Sequence, residues 1–229
     1  MDVPTLETDL RTLRDKVLLL GGQSETALLH AARALIQRDS ALAQQVISDD
    51  DEIDTVETEI DELCVQILTR QRDLPPEDLR FVIGVLRTTP MIERIADHAV
   101  NIARHTIKLN DEPQLKAFVD LPRMAEIVKQ MLADALDALT QRNAAQAKQT
   151  IRRDTEVDLL YRRIFNELMT FMTTDLASVT RSAELLFVIK HLERIADYVT
   201  NICEQVVYLA EGRAIKHTPE AWLTDGAEN

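Results

Sequence analysis

The sequence predicts an all-α protein: two tandem three-helix bundle repeats that together form an elongated six-helix bundle. Three observations carry this expectation. Neither Gly nor Pro occurs between positions 23 and 74, or between 123 and 211, of the 229 residues, and only helices fill gaps of that length without such punctuation. Gly (5), Pro (7) and aromatic residues (4%) are scarce while hydrophobic residues reach 45%, which argues against sandwiches, barrels and disorder. Segments of the first half also return in the second at nearly fixed offsets, the mark of a duplicated supersecondary unit.

The elements follow in order. A first helix is expected over 5–37, closed by "QRDSA", where Asp39 is the N-cap of a second helix over 40–71. A third, over 76–109, begins after the Pro pair in "RQRDLPPED". "NDEPQLKAFVD" (110–120) reads as a linker between the halves. A fourth helix covers 121–142, and "QRNAAQ" then offers Asn143 as N-cap with Gln146 three residues on, opening a fifth over 144–173. A turn around Asp175 in "TTDLASVT" leads into the sixth, 178–211. The repeats are thus bounded at 5–110 and 120–211. The tail 212–229 lacks a helical period and is expected to be loose.

The duplication is legible in the letters. "ALIQRD" (34–39) matches "ALTQRN" (138–143), and "DDEID" (50–54) matches "DTEVD" (154–158), both at an offset of 104. "ERIADHAVNI" (93–102) returns as "ERIADYVTNI" (193–202) at an offset of 100, which places four extra first-half residues near "RQRDLPPED".

With 39 acidic against 26 basic residues the net charge is −13, which repels nucleic acid and anionic lipid. Cations or basic patches on protein partners are the expected ligands. No apolar run approaches the roughly 18 residues needed to span a bilayer, and the acidic start "MDVPTLETDL" lacks the basic and apolar regions of a signal peptide. No membrane insertion and a cytoplasmic location are expected. Cys64 and Cys203 share no CxxC spacing and read as reduced core residues.

At 100° per residue, "ERIADHAVNIA" puts Ile92, Ile95, Ala96, Ala99, Ile102 and Ala103 on one side, and Glu93, Asp97 and Asn101 on the other. The apolar side is core. Like charges four apart repel by a few tenths of a kcal/mol unless something neutralises them, so one such pair means little. Here the pair Glu93/Asp97 recurs as Glu193/Asp197, Asn101 recurs as Asn201, and Asp50/Asp54 on the second helix recur as Asp154/Asp158 on the fifth. The neighbours do not recur: Glu57 and Asp61 correspond to Tyr161 and Phe165 and are read as solvated surface. Each repeat therefore supplies two carboxylate pairs and an amide. Such an all-oxygen set suits divalent or trivalent hard cations, Mg²⁺, Mn²⁺ and oxidised iron first, with Ca²⁺ and Zn²⁺ less favoured. Which ion is bound, and whether pairs meet within or across repeats, the spacing leaves open.

Helix-bundle di-iron enzymes use Glu-x-x-His on two helices, but none of His30, His98, His105, His191 and His217 has an acid three residues before it. Each is read as a surface or boundary side chain. No phosphate loop or nucleophile elbow is found, so a carboxylate-bridged di-metal oxidase or hydrolase stands as the alternative and no catalytic residue is expected. Pro90, three residues before Glu93, is expected to kink the third helix or to restart it with Thr89 as N-cap. A restarted helix would aim a positive dipole end at the first cation site and weaken it.

The doubled motif in "MIERIADHAVNIARH" and "HLERIADYVTNICEQ", with "EDLRFVIGVLR", "LLFVIKHLER" and "LLLGG" beside it, resembles the PhoU family over nearly the whole chain. That resemblance implies a PhoU-like six-helix bundle whose E(D)xxxD motifs bind metal clusters. It implies a non-catalytic cytosolic negative regulator that couples the high-affinity phosphate ABC transporter to a membrane sensor histidine kinase. Carried over by position, the metal residues are Asp50, Asp54, Glu93 and Asp97, and Asp154, Asp158, Glu193 and Asp197, with Asn101 and Asn201 as weaker candidates. Ala96 and Ala196 stand where the family often has Gly. A homodimer is compatible with so long a bundle, although no exposed apolar heptad demands one.

Overall fold

The computed structural model describes residues 5–70, 73–115, 120–212 and Ile215. Seven α-helices and one short 3₁₀ turn account for nearly all of them: α1 (Leu6–Gln37), α2 (Ser40–Ser48), α3 (Asp50–Arg70), α4 (Pro76–Asn110), α5 (Asp120–Gln141), α6 (Ala144–Thr174), the turn Leu176–Ser178, and α7 (Val179–Glu211). Taking α2 and α3 as one interrupted rod gives the six-helix, two-repeat bundle expected. At 35 residues, α4 is about 50 Å long, so the bundle is elongated.

The expected caps are in place. Asp39 Oδ1 accepts from the Leu42 N–H at 3.0 Å, Asn143 Oδ1 from the Gln146 N–H at 3.1 Å, and Asp175 Oδ1 from the Ala177 N–H at 3.0 Å. Each satisfies a donor that a helix start otherwise leaves without an intrahelical partner. Between α3 and α4 lie residues 71–75, of which 71 and 72 are outside the described set, whereas Asp175 alone separates α6 from the 3₁₀ turn.

Two expectations about helix continuity are corrected. The second helix breaks at Asp49, where the chain reads Asp49-Asp50-Asp51-Glu52. Four successive acids repel inside one helix, but as the first turn of a new one they meet its positive end. In the second repeat Arg153 replaces Asp49 and α6 runs through, with Arg153 Nη1 bonded to Asp134 at 2.7 Å. Pro90, in contrast, does not restart its helix: α4 is continuous from Pro76 to Asn110 with Pro90 inside it. Thr89 is a buried helical residue, not an N-cap, and its hydroxyl has no hydrogen-bond partner. α4 therefore presents no new N-terminus beside Glu93.

The core is one continuous apolar cluster running through both repeats. α4 packs on α7 and α1 on α5 across the halves, while α1, α3 and α4, and likewise α5, α6 and α7, pack within them. Ala96, Ala99 and Ala196 are fully buried, and their small side chains let α4 and α7 come close. Cys64 and Cys203 are buried free thiols. The tail predicted over 212–229 falls outside the described residues except for Gly212, which closes α7 at φ 69°, and Ile215, which is buried against the core. No helix among the described residues is long and apolar enough to cross a membrane.

Candidate metal centre

The motif is placed identically in the two copies. From 91 to 99 and from 191 to 199 the alternation of buried, half-buried and exposed positions is the same residue for residue. Apolar Ile92, Ile95 and Ala96 and their counterparts Leu192, Ile195 and Ala196 anchor the helix in the core. Glu93, Asp97 and Asn101, and Glu193, Asp197 and Asn201, are thereby held half-buried along the flank of α4 and of α7.

The acid pairs meet within each repeat, a question the spacing left open. In the first, the Asp50 carboxyl on α3 is raised above its ordinary value by burial, then by Asp54 on its own helix and Asp97 on α4. Glu93 is pushed up to about 7, first by burial, then by Asp97, with Glu57 of α3 adding to it and Arg94 opposing. In the second, Asp154 on α6 is pushed up to about 6 by burial, Asp158, Asp197 and Glu193. Half-burial concentrates negative charge that water does not fully screen, and each carboxyl holds its proton more tightly in answer.

Basic side chains answer part of that charge. Arg94 Nη1 lies 3.0 Å from Asp97 Oδ2 and its Nε 3.6 Å from Glu93 Oε2. Lys190 Nζ is 2.5 Å from Glu193 Oε2, Arg194 Nη1 3.4 Å from Asp197 Oδ2, and Arg162 Nη2 3.6 Å from Asp158 Oδ2. Asn101 turns its amide oxygen to Arg104 Nη1 at 3.1 Å, whereas Asn201 is half-buried beside the second cluster. Among the described residues no three His, Cys, Asp or Glu side chains are gathered as a ready-made ion-binding group. The donor set nonetheless fits a hard cation chemically. Its ligands are all oxygens, burial and neighbouring acids raise the proton affinity of Asp50, Glu93 and Asp154, and the bases now paired to the acids are about half exposed, so displacing them costs little.

Two features escaped the sequence reading. Glu57, taken as plain surface, is half-buried, has its own carboxyl raised by burial and by Asp61 and Asp54, and presses on Glu93. It extends the first cluster where the second has Tyr161. The histidines read one by one as bystanders also meet: His98 and His191 are in hydrogen-bond contact, and His105 stands against both His191 and Glu184. The seven-residue spacing of His98 and His105 on one helix and of Glu184 and His191 on the other was the available signal.

Fold and site together define a class: a duplicated three-helix bundle that presents a carboxylate cluster in each repeat. The model of the PhoU domain matches twice, over residues 17–106 and 121–206. The phosphate-specific transport system accessory protein PhoU homolog of Clostridium acetobutylicum is 36% identical over 209 residues, covering 91% of this chain and 95% of its own. PhoU of Escherichia coli is 34% identical over 209 residues, covering 91% and 86%. Among solved structures, PhoU from Pseudomonas aeruginosa superposes with a TM-score of 0.88 at 35% identity, covering 91% of this chain and all of that one. The phosphate transport system regulatory protein PhoU from Streptococcus pneumoniae gives 0.84 at 30% identity, covering 92% and 99%. The chain belongs to the PhoU family.

Proposed function

We propose that this chain is a cytosolic negative regulator of phosphate uptake and phosphate-starvation signalling, a metal-binding adaptor that couples a phosphate ABC transporter to a sensor histidine kinase. Its relatives are named accessory proteins of phosphate-specific transport, and the observation that carries the metal part is that acids at equivalent positions come together on neighbouring helices in both repeats, all half-buried except the exposed Asp54. Asp50, Asp54, Glu93 and Asp97 would hold one ion or ion cluster, and Asp154, Asp158, Glu193 and Asp197 the other. A bound ion supplies positive charge that neutralises the cluster and open coordination positions for an oxygen group of a partner. The chain's own part is to keep the carboxylates close together and, except for the exposed Asp54, half-dry, with Arg94, Lys190 and Arg194 as exchangeable counterions. When phosphate is plentiful the loaded bundle bridges transporter and kinase, holding the kinase off and restraining uptake.

Two measurements test this. Elemental analysis after incubation with mixed Mg²⁺, Mn²⁺, Fe and Zn²⁺ should find stoichiometric metal that the Glu193→Gln/Asp197→Asn variant loses in part. A phosphate-starvation reporter in cells lacking the gene should be repressed by the wild-type chain and derepressed by that variant. Equal metal in both proteins sinks the acidic site, and unchanged reporter output without the gene sinks the regulatory role.

A further inference from the structure

Both repeats contribute to a cavity of about 220 Å³ at the end of the bundle where α1 and α4 finish and α5 and α7 begin. Leu35, Leu115, Leu121 and Leu185 give it apolar walls. Arg38, the C-cap of α1, and Arg181, in the first turn of α7, enter it from opposite repeats. Both also hold the strap that leaves α4. Arg38 Nη2 donates to the Leu109, Asn110 and Glu112 carbonyls at 3.0, 3.2 and 2.6 Å. Arg181 Nη1 donates to the next carbonyl, that of Pro113, at 3.0 Å, and its Nη2 to Ala177 at 2.9 Å.

What these two arginines lack is an acid. In a chain with 39 acidic against 26 basic residues, neither guanidinium forms an ion pair among the described residues, and no acidic side chain among them lines the cavity. Acids nearby in the chain are engaged elsewhere: Asp39 caps α2, and Asp120 lies 3.1 Å from Arg163 Nη1. Two helix C-termini and two N-termini meet here, so their dipoles oppose one another and the guanidiniums set the sign of the cavity. Their donors are also incompletely used. Arg181 Nε is buried with no hydrogen-bond partner, and Arg38 commits only its Nη2 to carbonyls, although buried polar groups are as a rule satisfied.

We propose that this cavity binds a small amphiphilic oxyanion, a carboxylate or phosphate ester whose charged head is held by Arg38 and Arg181 and whose apolar body lies against the leucines. A concave, mostly apolar cavity with a few convergent polar groups is the usual form of a small-molecule site, and hydrogen bonds from a guanidinium to an oxyanion are about twice as strong as those between neutral groups. Capping of the α4 C-terminus accounts for Arg38 Nη2, but it leaves the acid-free pairing of two arginines in one apolar cavity, and the idle Arg181 Nε, without a role. Free inorganic phosphate satisfies the head alone and gains nothing from the leucine walls, so an anion with an apolar body is the better fit. The site is independent of the acidic faces and of any ion they hold. Because Arg38 belongs to the first repeat and Arg181 to the second, and both grip the strap between them, its ligand bears on the junction of the repeats.

The test is titration calorimetry on the full-length chain, with a chelator present and with octanoate, octyl phosphate, octanol and inorganic phosphate as probes, each below any micelle-forming concentration. Octanoate and octyl phosphate should each bind at one equivalent. Octanol, which keeps the tail and lacks the charge, and inorganic phosphate, which keeps the charge and lacks the tail, should each bind at least about 10-fold more weakly. Arg38→Met and Arg181→Met should each weaken octanoate about 10- to 100-fold and leave octanol unchanged. Helical circular dichroism checks that each variant is folded. Should the arginine changes disturb folding, Gln114→Glu carries the same comparison: this residue lines the cavity and is exposed, and a carboxylate there should repel octanoate but not octanol. Octanol binding as tightly as octanoate, inorganic phosphate binding as tightly as octyl phosphate, octanoate binding unchanged in all three variants, or a wild-type chain that binds neither amphiphile would each overturn the site.

Discussion

Replacing Asp154 with Asn isolates the electrostatic strain of the second cluster, because the causes raising that carboxyl are burial and the three partner acids Asp158, Asp197 and Glu193. The folded value is about 6 against an ordinary 3.8, and at ~1.4 kcal/mol per pH unit this corresponds to about 3 kcal/mol. Asp154 is only half-buried, so solvent screening reduces the usable figure to about 1–2 kcal/mol. The sign follows from proton binding. Between 3.8 and about 6 the folded chain holds more protons at this site than the unfolded chain, so stability falls as pH rises through that window and the penalty is complete above it. With a chelator present, Asp154→Asn should therefore be more stable than wild type at pH 7.5, by roughly 2–8 °C in Tm for a domain of this size, and the gain should fade toward pH 4 as the native carboxyl takes its proton. Thermal melts followed by circular dichroism at the two pH values measure it. Adding Mn²⁺ should favour the wild type, whose fourth carboxylate is intact. A variant that is less stable at pH 7.5, or a difference independent of pH, would refute the account of a strained carboxylate cluster.

Pro90 sits exposed inside the unbroken α4, where its missing N–H leaves the Leu86 carbonyl without its helical donor; Pro90→Ala should raise stability by about 1–3 kcal/mol in denaturant melts. Burial pushes the Cys64 and Cys203 thiols up to about 12, with Asp61 adding to the first and Asp134 to the second, so neither should react with a thiol-specific chromophore at pH 8 until denaturant is added, when both should.

The repeat, the helices and the caps at Asp39, Asn143 and Asp175 were legible in the sequence because each rests on local rules: spacing of apolar positions, absence of Gly and Pro, and a short polar side chain before a helix. The interruption at Asp49 and the continuity through Pro90 were not, because both are settled by competition. At Asp49 the repulsion among four acids outweighs one helical hydrogen bond. At Pro90 the packing of Thr88, Thr89 and Ile92, all buried, outweighs the loss of one. The acid pairs were legible as pairs through their repetition, but not their grouping within a repeat, which depends on how α3 docks on α4 and α6 on α7. Arg94, next to Glu93 in the chain, was legible as a nearby base, whereas Lys190 was not, since three residues before Glu193 it looks like ordinary surface charge. The histidines escaped because a cluster drawn from two helices has no contiguous signature.

The α4–α7 seam makes the molecule a dimer whose subunits share one peptide chain. In a true homodimer every substitution is made twice, so neither face can depart from the other. Covalent fusion removes that restriction. Glu57 and Asp61 have become Tyr161 and Phe165 on the other side, with Lys190 resting over the Tyr161 ring at 5.6 Å, while the helices beneath them keep the same burial pattern. One backbone plan thus carries an acidic flank and an aromatic one, and a single copy can present two unlike surfaces at once.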